Sequence, residues 1–290
     1  MKKVIFSMYL DLPNDTLIED APLPGDTISK KIKGANNFRL FKSKLIEKHK
    51  EYANTINCDY ILYDNMDEYI QFEQTILDMI PNGLPWDRFD LMNFFKLSIL
   101  KKLAESYDEI VYLDLDLIPN TTESIFDILD LQKNKFISFN YDKFIGEDET
   151  WDKLKIKYQD NNIYTHPVIK REGTNRILNL PNNKDIFYTF IIGITKNHAN
   201  KLNIDTKKDL PFLFAELKKL HDEDPWFAVD NETYLIYKIL KENIEIHHVP
   251  NDSNIHFVWS KHDIKEMPEN TKFIHVVSKD FGEVLSSLNP

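Results

Sequence analysis

One cysteine, Cys58, stands in a chain of 290 residues, so an internal disulfide and a cysteine-cluster zinc site are both excluded. That scarcity suits a reducing compartment. No run of eighteen apolar residues occurs, so no helix is expected to cross a bilayer. The N-terminal run Val4-Ile5-Phe6 is too short for a signal-peptide core and reads as a first β-strand. Together these features give the expectation of a cytoplasmic protein with no transmembrane segment. Positive charge is also short: 36 basic against 47 acidic residues give a formal net charge of -11. A protein that sheathes nucleic acid needs the opposite balance, so no nucleic-acid partner is expected. A single nucleotide stays compatible, because two or three basic groups or a metal ion can hold its phosphates.

The apolar fraction of 42% and the charged fraction of 29% are those of a globular protein. The length fits about two domains of roughly 150 residues, or one large α/β domain. No internal repeat and no linker divides the chain. One domain, 1–290, is therefore the preferred count, with residues 1–140 as one half and 141–290 as the other.

Residues 3–9 read as the opening strand, followed by a Pro-, Gly- and Asp-rich loop over 11–34. In open α/β sheets, ligands bind at such loops beyond the strand ends. Apolar spacing predicts helices over about 37–53, 67–79 and 87–106, and strands over 59–63 and 109–113. A helix over 120–130, capped by Thr121 or Thr122, and a strand over 135–139 follow. This strand–helix alternation predicts right-handed crossovers and a mostly parallel central sheet flanked by helices. Residues 141–184 are polar and aperiodic, and read as an excursion beside the sheet. A strand over 186–195, helices near 196–203, 209–221 and 230–241, and short strands over 245–249 and 272–277 complete the chain. The short late strands predict a smaller antiparallel element in the C-terminal half.

The most informative feature is Asp114-Leu115-Asp116, at the end of the apolar strand Ile110-Val111-Tyr112-Leu113. Residues two apart on an extended segment point the same way. Leu113, Leu115 and Leu117 then face the core, and Asp114 and Asp116 share the open side. Two carboxylates so close raise each other's pKa unless a cation neutralises them. A hard divalent ion such as Mn²⁺ or Mg²⁺ does this and can bridge to a diphosphate. The plain alternative is a strand-end turn with two solvated carboxylates.

Residues 94–126 carry a basic helix position (Lys96), then Tyr112-Leu113-Asp114-Leu115-Asp116, then Ser124-Ile125-Phe126. This order resembles the central segment of nucleotide-sugar-dependent glycosyltransferases of the GT-A fold, and is most similar to their glycogenin- and galactinol-synthase-like branch. The resemblance implies a GT-A-like sheet, a UDP-sugar donor and a carbohydrate or other hydroxyl acceptor. It implies that Asp114 and Asp116 hold Mn²⁺ (or Mg²⁺), with the ion holding the donor diphosphate. Arg88 or Lys96 matches the family's basic helix position. Ser7 and Tyr9 are placed like the end of the family's first strand, which contacts the donor base. His275 and Lys279 resemble a late segment whose histidine is the third metal ligand and whose lysine meets the phosphates. Where the family has an aromatic-Asn-x-Gly stretch, this chain has Phe190-Ile191-Ile192-Gly193, with Ile191 in place of the asparagine.

Several of these positions also stand on the residues alone. His275 alternates with Ile274 and Val276, so it faces away from them. A neutral imidazole completes an oxygen-rich site, more readily for Mn²⁺ than for Mg²⁺. Arg88 sits at a helix start, where a cation is disfavoured by the dipole, and lies on roughly the same face as Lys96. Asp64 ends the second strand, where a base or ribose fits. Asp230 and Glu232 open the helix at 230–241; Asp230 reads as an N-cap or as a carboxylate that takes the acceptor proton, with Glu232 second. Trp226 is a candidate sugar-stacking residue. Lys30-Lys31-Ile32-Lys33 is a basic patch in the long loop, and His247, His248 and His256 read as core or surface histidines.

The function expected is metal-dependent transfer of a hexose from a nucleotide diphosphate, with retention through the branch resemblance. An aspartyl phosphatase also uses Asp-x-Asp after an apolar strand. Such motifs come early and continue into Gly or Thr, whereas Leu117-Ile118-Pro119 follow here. A sugar-nucleotide synthase needs a Gly-rich loop after strand one, and residues 7–15 contain no glycine. A non-catalytic nucleotide-sugar-binding protein is the remaining alternative.

Overall fold

The computed structural model describes residues 1–14, 28–140, 152–153, 156, 167–180, 187–250 and 254–288. In chain order its elements are β1 (Lys3–Met8), α1 (Ile28–Thr55), β2 (Asp59–Tyr63), α2 (Met66–Leu77) and α3 (Arg88–Leu103). They continue with β3 (Glu109–Leu113), β4 (Leu117–Pro119), α4 (Ile125–Ile128), α5 (Leu131–Asn134), β5 (Phe136–Asn140), α6 (Pro167–Leu178) and β6 (Phe187–Thr195). The last are α7 (Lys196–Leu202), α8 (Thr206–Glu223), α9 (Asn231–Lys241), β7 (His247–His248), β8 (Ile255–Phe257), α10 (Lys261–Lys265), β9 (Phe273–His275) and α11 (Phe281–Leu288).

Six strands form the central sheet in the order β2-β1-β3-β6-β5-β7. β1 pairs parallel with β2 and β3, and β5 pairs parallel with β7. β6 runs antiparallel to both β3 and β5, so one strand opposes the other five. The mostly parallel sheet expected from strand–helix alternation is present. Its central strands are buried on both faces, as helix-covered sheets require: Val4, Ile5 and Phe6 of β1 and Ile110 to Leu113 of β3 are almost fully enclosed. The smaller sheet has the order β4-β9-β8, with β4 antiparallel and β8 parallel to β9.

α3 packs at the centre of the largest core cluster, with Leu91, Phe94, Phe95, Leu97, Ile99, Leu100 and Leu103 buried. Apolar residues on so many sides mark a helix inside the molecule rather than on it. Asp87 accepts from the Phe89 amide at 2.7 Å and caps its start.

Sequence and structure differ in several places. α1 begins at Ile28, so residues 30–33 belong to a helix rather than to the long loop; residues 15–27 of that loop lie outside the described residues. The helix expected over 120–130 is two four-residue helices, and Ser124 rather than Thr121 or Thr122 is the cap residue. Leu117–Pro119 is a strand, because it pairs with β9, a partner more than 150 residues away. Of the excursion expected over 141–184, most lies outside the described residues, but Pro167–Leu178 is a helix.

The chain has only seven glycines, and asparagine takes over their conformational work. Asn57, Asn179, Asn203 and Asn243 follow helices with positive φ, the left-handed state that usually calls for Gly. Gly193 is different. A Cβ there would lie 2.7 Å from Ile137 and 2.8 Å from Leu131, so only hydrogen fits where β5 and α5 press on β6.

Candidate active site

β3 leaves the central sheet at Leu113, and β4 joins the small sheet at Leu117. Asp114 to Asp116 is the turn between the two sheets. Its backbone is tied on each side: the Asp114 amide donates to Phe190 O (2.8 Å), Leu117 to Asp114 O (2.9 Å) and Val276 to Asp116 O (3.0 Å). Leu113, Leu115 and Leu117 are buried, as the alternation requires. The pairing of Leu117 with His275 in the small sheet brings the histidine opposite the turn.

Asp114, Asp116 and His275 thus converge, with one ligand atom of each lying within 4.8 Å of the others. Asp116 and His275 are nearly enclosed, while Asp114 is half-buried. His275 Nε2 lies 3.6 Å from Asp116 Oδ2, and the ring stacks on Phe190 at 4.4 Å between centroids. Its Nδ1 is buried without a hydrogen-bond partner among the described residues. Two carboxylate oxygens and an imidazole nitrogen form a donor set that fits Mn²⁺ and, less well, Mg²⁺.

Two lysines flank the triad. Lys279, at positive φ, places its ammonium on Asp116 Oδ2, and its carbonyl is held by Asn37 Nδ2 at 3.0 Å. Burial alone would raise the Asp116 pKa, but the charges of Lys279 and His275 outweigh it and hold the carboxyl well below its usual range. On the other side, fully buried Lys96 donates to Thr189 O (2.9 Å) and Thr189 Oγ1 (3.1 Å), 3.8 Å from Asp114 Oδ1. Its ammonium lies 4.5 Å over the Tyr112 ring. Desolvation lowers its pKa, and Asp114 opposes that shift.

Thr189 links Lys96 to a second charged group. Asn231 Nδ2 donates to Thr189 Oγ1 at 3.2 Å, and the Thr189 amide donates to Glu232 Oε1 at 3.4 Å. Lys170, from α6, donates to Glu232 Oε2 at 2.5 Å and lies 2.8 Å from Asp230 Oδ1. Asp230 also caps α9, accepting from the Thr233 amide at 2.6 Å. Asp90 of α3 feels this group, and burial, then the Asp230 charge, push its carboxyl well above the normal range. Burial likewise raises Glu232, against the pull of Lys170.

The remaining sequence candidates stand apart. Arg88 pairs with Glu73 at 3.4 Å. Asp64 is exposed and 4.0 Å from Lys42. Tyr9 lies under Lys42 Nζ (4.3 Å) and beside Phe38, and burial with Asp11 pushes its hydroxyl up to about 12. Ser7 is fully buried, its Oγ 3.3 Å from His49 Nδ1. Trp226 is buried in the main core rather than placed for stacking. His256 bonds Asp263 O at 2.7 Å, in keeping with a structural histidine.

Sequence reading passed over Lys170, Thr189, His49 and Trp259. Lys170 lies in a stretch without periodicity, and Thr189 reads as one residue of an apolar strand. Trp259 is the only exposed tryptophan among the described residues, a property no sequence pattern marks.

No family model and no curated protein matches the chain. Among solved structures, it is similar to a glycosyltransferase involved in glycosylation of the major capsid of PBCV-1. That likeness has 13% identity and a TM-score of 0.44, covering 99% of each chain. Mouse xyloside xylosyltransferase 1 is similar at 10% identity and a TM-score of 0.45, covering 96% of this chain and 98% of that one. The galactosyltransferase LgtC, in complex with donor and acceptor sugar analogs, is similar at 10% identity and a TM-score of 0.43, covering 99% and 96%. Residue roles here therefore rest on the geometry of this site. Among the described residues, no helix is long and apolar enough to cross a membrane.

Proposed function

We propose that this protein is a glycosyltransferase that uses a divalent cation to transfer a hexose from a UDP-sugar to a hydroxyl acceptor. The observation that carries this reading is the convergence of Asp114, Asp116 and His275, with Lys279 and Lys96 on either side. A bound Mn²⁺ would supply charge to hold the donor diphosphate and stabilise it as it leaves. Lys279 has the reach to move from Asp116 to a phosphate oxygen and share that task. Lys96, locked by Thr189, holds Asp114 in place and adds a fixed positive charge behind it.

Residues 1–140 form the donor half in this reading, and 141–290 the acceptor half. Asp230 and Glu232 both pair with Lys170, and Glu232 also accepts from the amide of Thr189, the residue that holds Lys96. Asp230 is committed twice, to the helix cap and to Lys170, so it serves better as a fixed negative charge beside the sugar than as a mobile base. That assignment favours retention, in which the departing diphosphate takes the acceptor proton. Arg88, Asp64, Ser7 and Tyr9 keep the donor-side roles expected from their positions only if nucleotide binding repacks their present partners.

The aspartyl phosphatase reading has less support. A nucleophilic Asp114 would have to attack while accepting the Tyr112 hydroxyl at Oδ1 beside Lys96. The deciding experiment is donor hydrolysis across a panel of nucleotide sugars, with and without Mn²⁺. Hydrolysis that needs Mn²⁺ and disappears in Asp114→Asn and Asp116→Asn supports the transferase. Metal-independent turnover, or turnover kept by both variants, overturns it.

A further inference from the structure

The Lys279 ammonium is delivered to Asp116 from a backbone state that lysine seldom adopts. Its φ is +59°, in the left-handed region that disfavours any side chain with a Cβ. The residue is tied at both ends. Its amide donates to Val276 O at 3.1 Å, and its carbonyl accepts from Asn37 Nδ2 at 3.0 Å. The second bond spans 242 residues of chain.

Asn37 lies inside α1, although asparagine is a poor helix former. Its neighbours attend to the same segment. Gly34 passes close to the lysine stem: a Cβ there would lie 3.8 Å from Lys279 Cγ, in ordinary contact. Lys33 pairs with Asp280 at 3.2 Å. The Phe38 ring lies 5.5 Å from the Lys279 ammonium and packs on Phe281 at 4.9 Å between centroids. Phe41 meets the same Phe281 at 6.2 Å. Positions 33, 34, 37, 38 and 41 fall at helical spacing, so one stripe of α1 grips residues 279–281. Within that stripe the rings hold α1 to α11, and the amide of Asn37 is spent on the Lys279 carbonyl.

We propose that Asn37 is a positioning residue: it pins the Lys279 backbone, so that the ammonium is aimed at Asp116 and, during turnover, at the departing diphosphate. The diphosphate part of this role rests on the transferase reading; the pin itself does not. The argument is one of conformational freedom. A lysine side chain is long and flexible, and it loses much rotamer freedom when its ammonium is fixed. A stem rooted in a free loop would add backbone freedom to that loss. Rooting it at a left-handed residue bonded on both sides confines the ammonium to one arc, and Asp116 lies on that arc. Orientation of this kind acts on the rate of the chemical step more than on binding of the ground state.

The test has two arms, both on the whole protein. The first needs neither donor nor metal: lysines are labelled competitively with acetic anhydride and read by peptide mass spectrometry. In the wild type, Lys279 should label more slowly than exposed Lys44, because its ammonium is held on Asp116. Asn37→Leu replaces the amide with a better helix former of similar size, and Lys279 should then label several times faster. Lys44 and buried Lys96 should keep their rates, which a general loosening of the fold would not allow. Unchanged labelling of Lys279 in Asn37→Leu overturns the proposal. The second arm is Mn²⁺-dependent donor hydrolysis as a double-mutant cycle. Asn37→Leu should lower kcat by about tenfold with KM for the donor little changed. In the Lys279→Met background it should change kcat by less than about twofold, since the ammonium it positions is gone. An equal loss in both backgrounds would make Asn37 a support of the fold and overturn the proposal. Faster labelling in Asn37→Leu with no hydrolysis by the wild type removes the transferase reading and leaves the pin standing; hydrolysis with labelling unchanged does the reverse.

Discussion

Lys279 reaches the carboxylate of Asp116 across 163 residues of chain and closes the small sheet over the turn between β3 and β4. The carboxylate is enclosed and the ammonium mostly covered, so the pair is electrostatically strong and costly to break from one side. Because the Asp116 pKa lies below its unfolded value, the stabilisation is present above about pH 4 and is lost as pH falls further. Lys279→Met is expected to cost about 2–4 kcal/mol at pH 7. It should also flatten the stability profile below pH 4. Urea unfolding at a series of pH values measures both.

A second acid-sensitive group acts in a higher window. His49 is fully buried, and desolvation pushes its imidazole down to about 4, against the pull of the nearby Asp116. The folded chain therefore holds it neutral while the unfolded chain protonates it near pH 6.5. Stability from this source is complete above pH 6.5 and is lost between there and pH 4, by about 3 kcal/mol. In His49→Asn that slope should vanish while the fall below pH 4 remains. A slope that persists in the variant would place its origin elsewhere.

Asp230 has a capping role and a charge role that substitution can separate. Asn keeps an oxygen for the Thr233 amide but leaves Lys170 with Glu232 alone. Ala removes both functions. Asp230→Ala should therefore be less stable than Asp230→Asn by about 1 kcal/mol, the usual worth of an N-cap. Donor turnover should fall by a similar factor in both variants, since both lose the carboxylate. Thermal melts and donor hydrolysis on the same samples read the two effects.

Gly193→Ala places a methyl group within 3 Å of Ile137, Leu131 and Leu129. All three are buried, so none can turn aside without displacing core. Overpacking here is expected to cost about 1–3 kcal/mol or more. The loss appears as a lower Tm.

The order of strands and helices was legible because it rests on local periodicity. β2 and β3 fall where alternating and apolar runs place them, and α3 where Met92, Phe95, Ile99 and Leu103 recur. The Asp114–Asp116 pair was legible for the same reason: side-chain direction on an extended segment follows from spacing alone. His275 and Lys279 could be singled out by type and by resemblance, but nothing local says what faces them. Tertiary structure decided that β4 changes sheets and pairs with β9, because a three-residue strand is stable only against its distant partner. It also decided that Lys96 is buried rather than on a surface stripe, and that Lys170 from an aperiodic stretch meets Asp230 and Glu232. It decided as well that Trp226 lies buried in the main core while Trp259 is left exposed. Charge pairing and exposure depend on which segments meet in space. The sequence determines them only through the whole fold, so no window of neighbouring residues displays them.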